Sequence, residues 1–303
     1  MAIHLCVGGR ELVGAPVEMR RGRVWGPLVY VAERLGARVE ATPAAIEVSR
    51  AGRIARRFMV STGEPPPAAD RLEELAWRRR DGVVLAPLDA LTAALGAAWR
   101  WVADGEIARV VGPEPALAGC TVGIDAGHGG SDRGEPGTPL DEAALNLDVA
   151  LRLADYLAGA GAALRLARTG DEALSASERL VRLDAPGPGG ESDLALSIHQ
   201  NGCVNPLSGG VEMYCNDWPE AERLAQSLMR EWIRGVPTAR SRLGPAPLEL
   251  LRRARRPAVH IECGYLTHSA DAVLLADPWG RERMAMALFR GLCRYLTERA
   301  DSG

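Results

Sequence analysis

Val122-Gly123-Ile124-Asp125-Ala126-Gly127-His128-Gly129-Gly130 is an apolar run that ends in a glycine-rich turn carrying a histidine. The run has the length of a buried strand, and the glycines let the backbone bend tightly while leaving room beside the imidazole. The same design recurs twice. Asp193-Leu194-Ala195-Leu196-Ser197-Ile198-His199 turns polar at its tip and is followed by Gln200 and Asn201, and Ala258-Val259-His260-Ile261-Glu262 ends on a carboxylate. Working outward, strands are expected at 120–125, 163–167, 193–198, 211–215 and 257–262, and helices at 141–159, 175–184, 218–234 and 279–298. This alternation predicts an α/β fold with a mostly parallel, helix-flanked sheet. In such sheets ligands sit beyond the carboxyl ends of the strands, where His128, His199 and Glu262 fall.

Those three residues and Glu142 form the only grouping with concentrated chemistry. Glu142 opens a helix whose buried stripe is read from Ala144, Leu147, Ala150, Leu151 and Ala154. A glutamate in a first helical turn also suits the helix dipole, and Asp141 competes with it for either role. Asp125 is expected to form the turn or to orient His128 through its second ring nitrogen. Glu262 is a carboxylate at the end of a buried run, so it requires a cation, a hydrogen-bond partner or a raised pKa. The arginines at 252–256 are the bland source of such a partner. Two histidines, one glutamate and an open position make a catalytic zinc arrangement, to which a further carboxylate can add a base.

The first 112 residues carry a duplication. Gly22-Arg23-Val24-Trp25-Gly26-Pro27-Leu28 and Leu35-Gly36-Ala37 recur as Gly82-Val83-Val84-Leu85-Ala86-Pro87-Leu88 and Leu95-Gly96-Ala97. Each copy reads as strand, helix begun by proline in its first turn and closed by glycine, then a returning strand. Residues 3–111 resemble the small α+β module at the N-terminus of some copper amine oxidases, also an add-on in bacterial envelope enzymes. They hold no histidine or cysteine cluster, so no copper is expected, and a spacer or wall-binding role stands beside a purely structural one. Pro- and Gly-containing residues 113–119 are read as a linker, leaving 120–303 as the catalytic domain.

Composition excludes several classes. Hydrophobic residues make up 47% and charged residues 25%, the balance of a folded globular chain, and the net charge of −3 gives no bulk case for nucleic acid. The six cysteines form no CxxC pair, arguing against a zinc ribbon. No run is long enough to span a bilayer, and Met1–Arg10 has neither the basic nor the apolar region of an export signal.

The second domain resembles the zinc-dependent N-acetylmuramoyl-L-alanine amidases of bacterial cell walls and phage lysins, over about residues 120–298. The resemblance is carried by Asp125–Gly130, by Glu142 before Asn146-Leu147-Asp148-Val149-Ala150, and by Leu166-Ala167-Arg168-Thr169 with Glu178-Arg179. It continues through Ser197–Asn201, Gly210-Val211-Glu212 and Glu262-Cys263-Gly264-Tyr265. It implies a phosphorylase/hydrolase-like sheet, one zinc ion on His128, Glu142 and His199, and Glu262 as catalytic acid/base. It further implies peptidoglycan as substrate, the cell envelope or exterior as location, Arg168 and Arg179 as braces of loops, and Asn201 and Glu212 at the substrate groove. A carboxypeptidase-type zinc peptidase and a non-catalytic wall-binding protein are the rival readings. Some relatives insert a plugging helix after the Gly-x-Glu strand; the interval from Glu212 to Pro257 is too short here, which predicts an open groove. Departures are Arg182-Leu183-Asp184, His268, Tyr265 and His260, the last sharing a strand face with Glu262 by period two.

Overall fold

The computed structural model describes residues 3–20, 22–61, 75–79, 81–136, 138–185 and 190–301. The outermost residues of the assigned domains, 1–2 and 302–303, lie outside this set. Contacts divide the chain into two compact units, Met1–Pro113 and Glu114–Gly303.

In the first unit the two repeat copies become Arg23–Pro27, Leu28–Arg34 and Arg38–Ala41, and Val84–Pro87, Leu88–Ala94 and Ala98–Val102. Their first strands pair antiparallel with each other, Trp25 opposite Pro87. Val31 and Leu91, equivalent in the repeat, are both fully buried in one apolar core. Pro27 and Pro87 are extended residues capping each helix, not members of its first turn. Their carbonyls can begin the helix while their missing N–H costs nothing. Gly36 and Gly96 follow each helix in the left-handed conformation expected of a glycine stop.

The second unit is built on a six-stranded sheet: β1 (Thr121–Ala126), β2 (Ala163–Leu166), β3 (Leu194–Asn201), β4 (Val211–Cys215), β5 (Ser241–Pro245) and β6 (Ala258–Tyr265). Its spatial order is β2-β1-β3-β6-β4-β5. The first four in that order are mutually parallel, β4 runs antiparallel to β6, and β5 runs parallel to β4. The helices are α1 (Glu142–Ala160), α2 (Ala176–Asp184), α3 (Pro219–Gly235), α4 (Glu249–Arg253), α5 (Ser269–Ala276) and α6 (Pro278–Ala300). Helices α1 and α3 pack on α6, and α2 packs with α4 over Ala195 and Ala258 on the other face. Strand β5 and helices α4 and α5 were not expected from sequence. Ser241-Arg242-Leu243-Gly244-Pro245 lacks alternation, α4 is little more than one turn, and α5 has no polar face to mark its period.

Two further sequence readings are corrected. The buried stripe of α1 runs through Glu142, Asn146, Val149, Leu153 and Tyr156; of the expected stripe Ala150 and Ala154 are buried, while Ala144 and Leu151 face solvent. The stripe begins on the glutamate itself, so apolar spacing alone misplaces it by about one residue. Nor is 113–119 a free linker: from Glu114 onward it is folded into the second unit. Pro115–Leu117 form a 3-10 turn against α6, Leu117 is fully buried, and Glu114 N–H donates to Ala160 O.

Candidate metal centre

Backbone hydrogen bonding, not side-chain reach, sets out most of the site. On the sheet face toward α2, two rows of register partners cross the strands. One runs Asp125, Ser197, His260, Tyr214; the other runs His199, Glu262, Glu212, Arg242. The second row brings His199 and Glu262 side by side on parallel neighbours and sets Glu212 across from Glu262.

Glu142 reaches the same place from the start of α1. Asp141 takes the cap, accepting from Ala144 N–H at 3.1 Å and pairing with Arg133, which leaves Glu142 to turn inward, 2% exposed. Its Oε1 lies 3.1 Å from His128 Nε2 and 3.3 Å from His199 Nδ1. One ligand atom from each of His128, Glu142 and His199 falls within 4.8 Å of the others, the only such cluster among the described residues. The rings of His128 and His199 stand nearly perpendicular, 4.9 Å apart. Gln200 N–H and Asn146 Nδ2 also donate to Glu142 Oε1, and Glu135 N–H donates to Oε2.

Glycines make the convergence possible. A Cβ on Gly127 would stand 2.1 Å from the His199 ring, and one on Gly134, at φ +82°, would stand 2.3 Å from Glu142 Oε2. His128 itself adopts φ +57°, a left-handed conformation uncommon outside glycine. Arg168 and Arg179 hold that turn: Arg168 donates to the carbonyls of Ala126, Gly127 and Ala143, and Arg179 to those of Ala126 and His128.

Asp125 does not orient His128. Buried, it accepts from Arg179 at 2.7 Å and Ser197 Oγ at 2.8 Å, because its side chain projects with the first row toward α2. The carboxylate on His128 Nδ1 is Asp132, at 2.8 Å. Four residues further along an irregular turn, it left no periodic signal in the sequence.

The electrostatics suit a cation. Its hydrogen bond to the Glu142 carboxylate pushes the His128 imidazole up to about 9 despite burial. Burial favours a neutral Glu142, yet the two imidazoles outweigh it and hold the carboxyl far below its ordinary range. Among the described residues Glu262 is not paired with an arginine. Arg256 binds Asp184 and Ser192 O, and Arg253 binds Glu249. Instead Glu262 Oε1 lies 2.9 Å from His260 Nε2, and burial holds that imidazole below its ordinary value. Among the described residues Glu262 Oε2, which is buried, has no hydrogen-bond partner, although buried polar groups are as a rule satisfied. Asn201 Nδ2 and Tyr214 OH donate to Glu212 Oε2, at 3.2 and 2.6 Å. Two imidazole nitrogens, a carboxylate oxygen and an adjacent carboxylate with one oxygen unpartnered are a donor set that fits a divalent metal with an open position. A cavity of about 540 Å³ at the other end of β4, lined by Cys215, Asn216, Trp218 and Arg252, shares no residue with this cluster.

Residues 122–294 match the family model described as N-acetylmuramoyl-L-alanine amidase. The chain belongs to that amidase family, and it is a hydrolase. It is 30% identical over 197 residues to the germination-specific N-acetylmuramoyl-L-alanine amidase of Bacillus subtilis, covering 61% of this chain and 83% of the relative. Among solved structures, an N-acetylmuramoyl-L-alanine amidase from Clostridium difficile 630 superposes with a TM-score of 0.56 at 28% identity, covering 60% of this chain and 99% of that one. A second, from Nostoc punctiforme, gives 0.55 at 29% identity, with 59% and 98% covered. In this amidase the interval between β4 and β6 holds α3, β5 and α4; α3 packs on α6 and α4 on α2, while the His128 and His199 side chains stay 26% and 19% exposed.

Proposed function

We propose that this amidase hydrolyses the amide joining the lactyl group of N-acetylmuramic acid to L-alanine of a peptidoglycan stem peptide. His128, Glu142 and His199 hold one zinc ion, and Glu262 is the general acid and base. The observation that carries this reading is the buried, unpartnered Oε2 of Glu262 next in register to a His-Glu-His cluster of ligand spacing. Bound there, zinc supplies Lewis acidity toward water and a carbonyl oxygen. Glu262 Oε2 takes the proton of the attacking water as its oxygen joins the carbonyl carbon, then delivers it to the amine nitrogen as the C–N bond breaks. Asn201 and Glu212, hydrogen-bonded to each other beside Glu262, border the groove and bind substrate. The first unit serves as a spacer or wall-binding appendage, and the enzyme works at the cell envelope or outside the cell. Among the described residues no helix is long and apolar enough to cross a membrane.

Purified peptidoglycan digested by the zinc-loaded protein tests the reaction. Mass spectrometry is expected to find intact stem peptides with a new L-alanine amino terminus and glycan bearing free lactyl carboxylates. Release of C-terminal amino acids would point to a carboxypeptidase, and binding without cleavage to a wall-binding module. Glu262→Gln is expected to keep zinc and lose turnover by at least about 100-fold, and a chelator to abolish activity until zinc is restored.

A further inference from the structure

His260 has no place in the proposed ligand set or proton transfer, yet it is the residue that touches Glu262. It lies two positions earlier on β6, on the same face, with Ser197 and Tyr214 as register partners on either side. Its side chain is buried, and its ring stacks on that of His199 with centroids 4.4 Å apart and planes 27° from parallel. In the 2.9 Å contact the carboxylate oxygen is the acceptor, which assigns His260 the tautomer with its proton on Nε2, donating to Oε1 of Glu262.

A glutamate side chain has freely turning bonds and two equivalent oxygens. Left alone in its row, the Glu262 carboxylate could turn toward the metal ligands on one side or toward Glu212 on the other. Turning toward the ligands would make it a further ligand and fill the position that catalytic metal sites leave open. The hydrogen bond removes that freedom. Space-filling alone does not account for an imidazole here, since an aliphatic side chain would fill a buried strand position without a polar group to satisfy.

We propose that His260 is a positioning residue: stacked on His199 and paired in register with Tyr214, it fixes Oε1 of Glu262 so that Oε2 is the oxygen presented to the reaction. The proposal rests on the reading of Glu262 as acid and base.

The test compares wild type, Glu262→Gln, His260→Leu and His260→Gln on a soluble muropeptide, each at measured zinc content. His260→Leu is expected to keep zinc and KM while kcat falls on the order of 10–100-fold. His260→Gln, whose amide can donate to the same oxygen, is expected to recover most of that loss. A readout independent of turnover is ¹⁵N-histidine NMR: one imidazole Nε2–H is expected to be slow to exchange, and to become fast in Glu262→Ala. If wild type cleaves and Glu262→Gln does not, but His260→Leu keeps kcat within about two-fold of wild type, the positioning role is wrong while the reaction stands. A rise in KM alone, or equal losses in the leucine and glutamine variants, overturns it as well. If Glu262→Gln turns over normally, the reading of Glu262 itself has failed. Should the leucine variant not fold, the glutamine variant and the exchange rate decide: a glutamine variant without activity, or an unprotected Nε2–H in wild type, overturns the proposal.

Discussion

Glu212 stands directly across the antiparallel strand pair from Glu262, and its Oε2 accepts hydrogen bonds from Tyr214 and Asn201. Arg242, with Nη1 4.0 Å from Glu212 Oε1, extends the row. On the proposed reading Glu212 binds substrate, and replacing it by Ala leaves the Glu262–His260 pair in place. Steady-state kinetics on a muropeptide should show KM rising by roughly three- to ten-fold with a smaller change in kcat. An equal fall in kcat and kcat/KM would place Glu212 in the chemical step instead.

Asp132 → Ala should weaken the metal without unfolding the turn. Its carboxylate accepts from His128 Nδ1 and so fixes the ring with Nε2 toward Glu142. Loss of such a partner costs about 10–100-fold in metal affinity, measurable by zinc competition against a chelating dye. Asp125→Asn would act differently, loosening Arg179 and Ser197 and lowering the melting temperature.

Gly127→Ala should abolish zinc binding while the fold survives. The added methyl would meet the His199 ring at 2.1 Å, so the imidazole must leave its position. Metal content by mass spectrometry should fall close to zero with circular dichroism unchanged. Full occupancy would mean that the turn can shift as a whole.

Away from the site, Glu231 ties α3 to α6. Burial raises its carboxyl, but hydrogen bonds and charges from Arg290 and Arg234 outweigh that and leave its pKa below the ordinary value. A depressed folded-state pKa contributes stability that is fully present above the unfolded value near 4.3 and is lost as pH falls through the folded one. Glu231→Gln should therefore destabilise the protein at neutral pH. Thermal melts should show the gap to wild type closing below about pH 4. A gap constant down to pH 3 would mean that packing, not charge, carries the effect.

How much of this was legible depends on what each residue leaves in a linear pattern. Apolar runs ending at His128, His199 and Glu262 announce strands and their tips together, because a buried parallel strand has one chemical signature and its end another. Glu142 was readable only in part: its helix was placed, but the stripe was rotated, since a buried glutamate counts as polar in any periodicity. Register was not readable at all. Nothing in sequence order says that Glu212 faces Glu262 or that Asp132, not Asp125, supports His128, because those facts arise from a ladder and a turn. Strand β5 was hidden for a related reason, as pairing to β4 organises a stretch with no alternation of its own.

The His199–Glu262 pairing carries one more implication. The interval between those two side chains belongs to a backbone ladder and is stiff, whereas His128 hangs on an irregular, arginine-braced turn. Evolution or engineering can therefore retune the gap between His128 and the sheet, by editing the turn from Gly127 to Gly134, and leave untouched the spacing of His199 and Glu262.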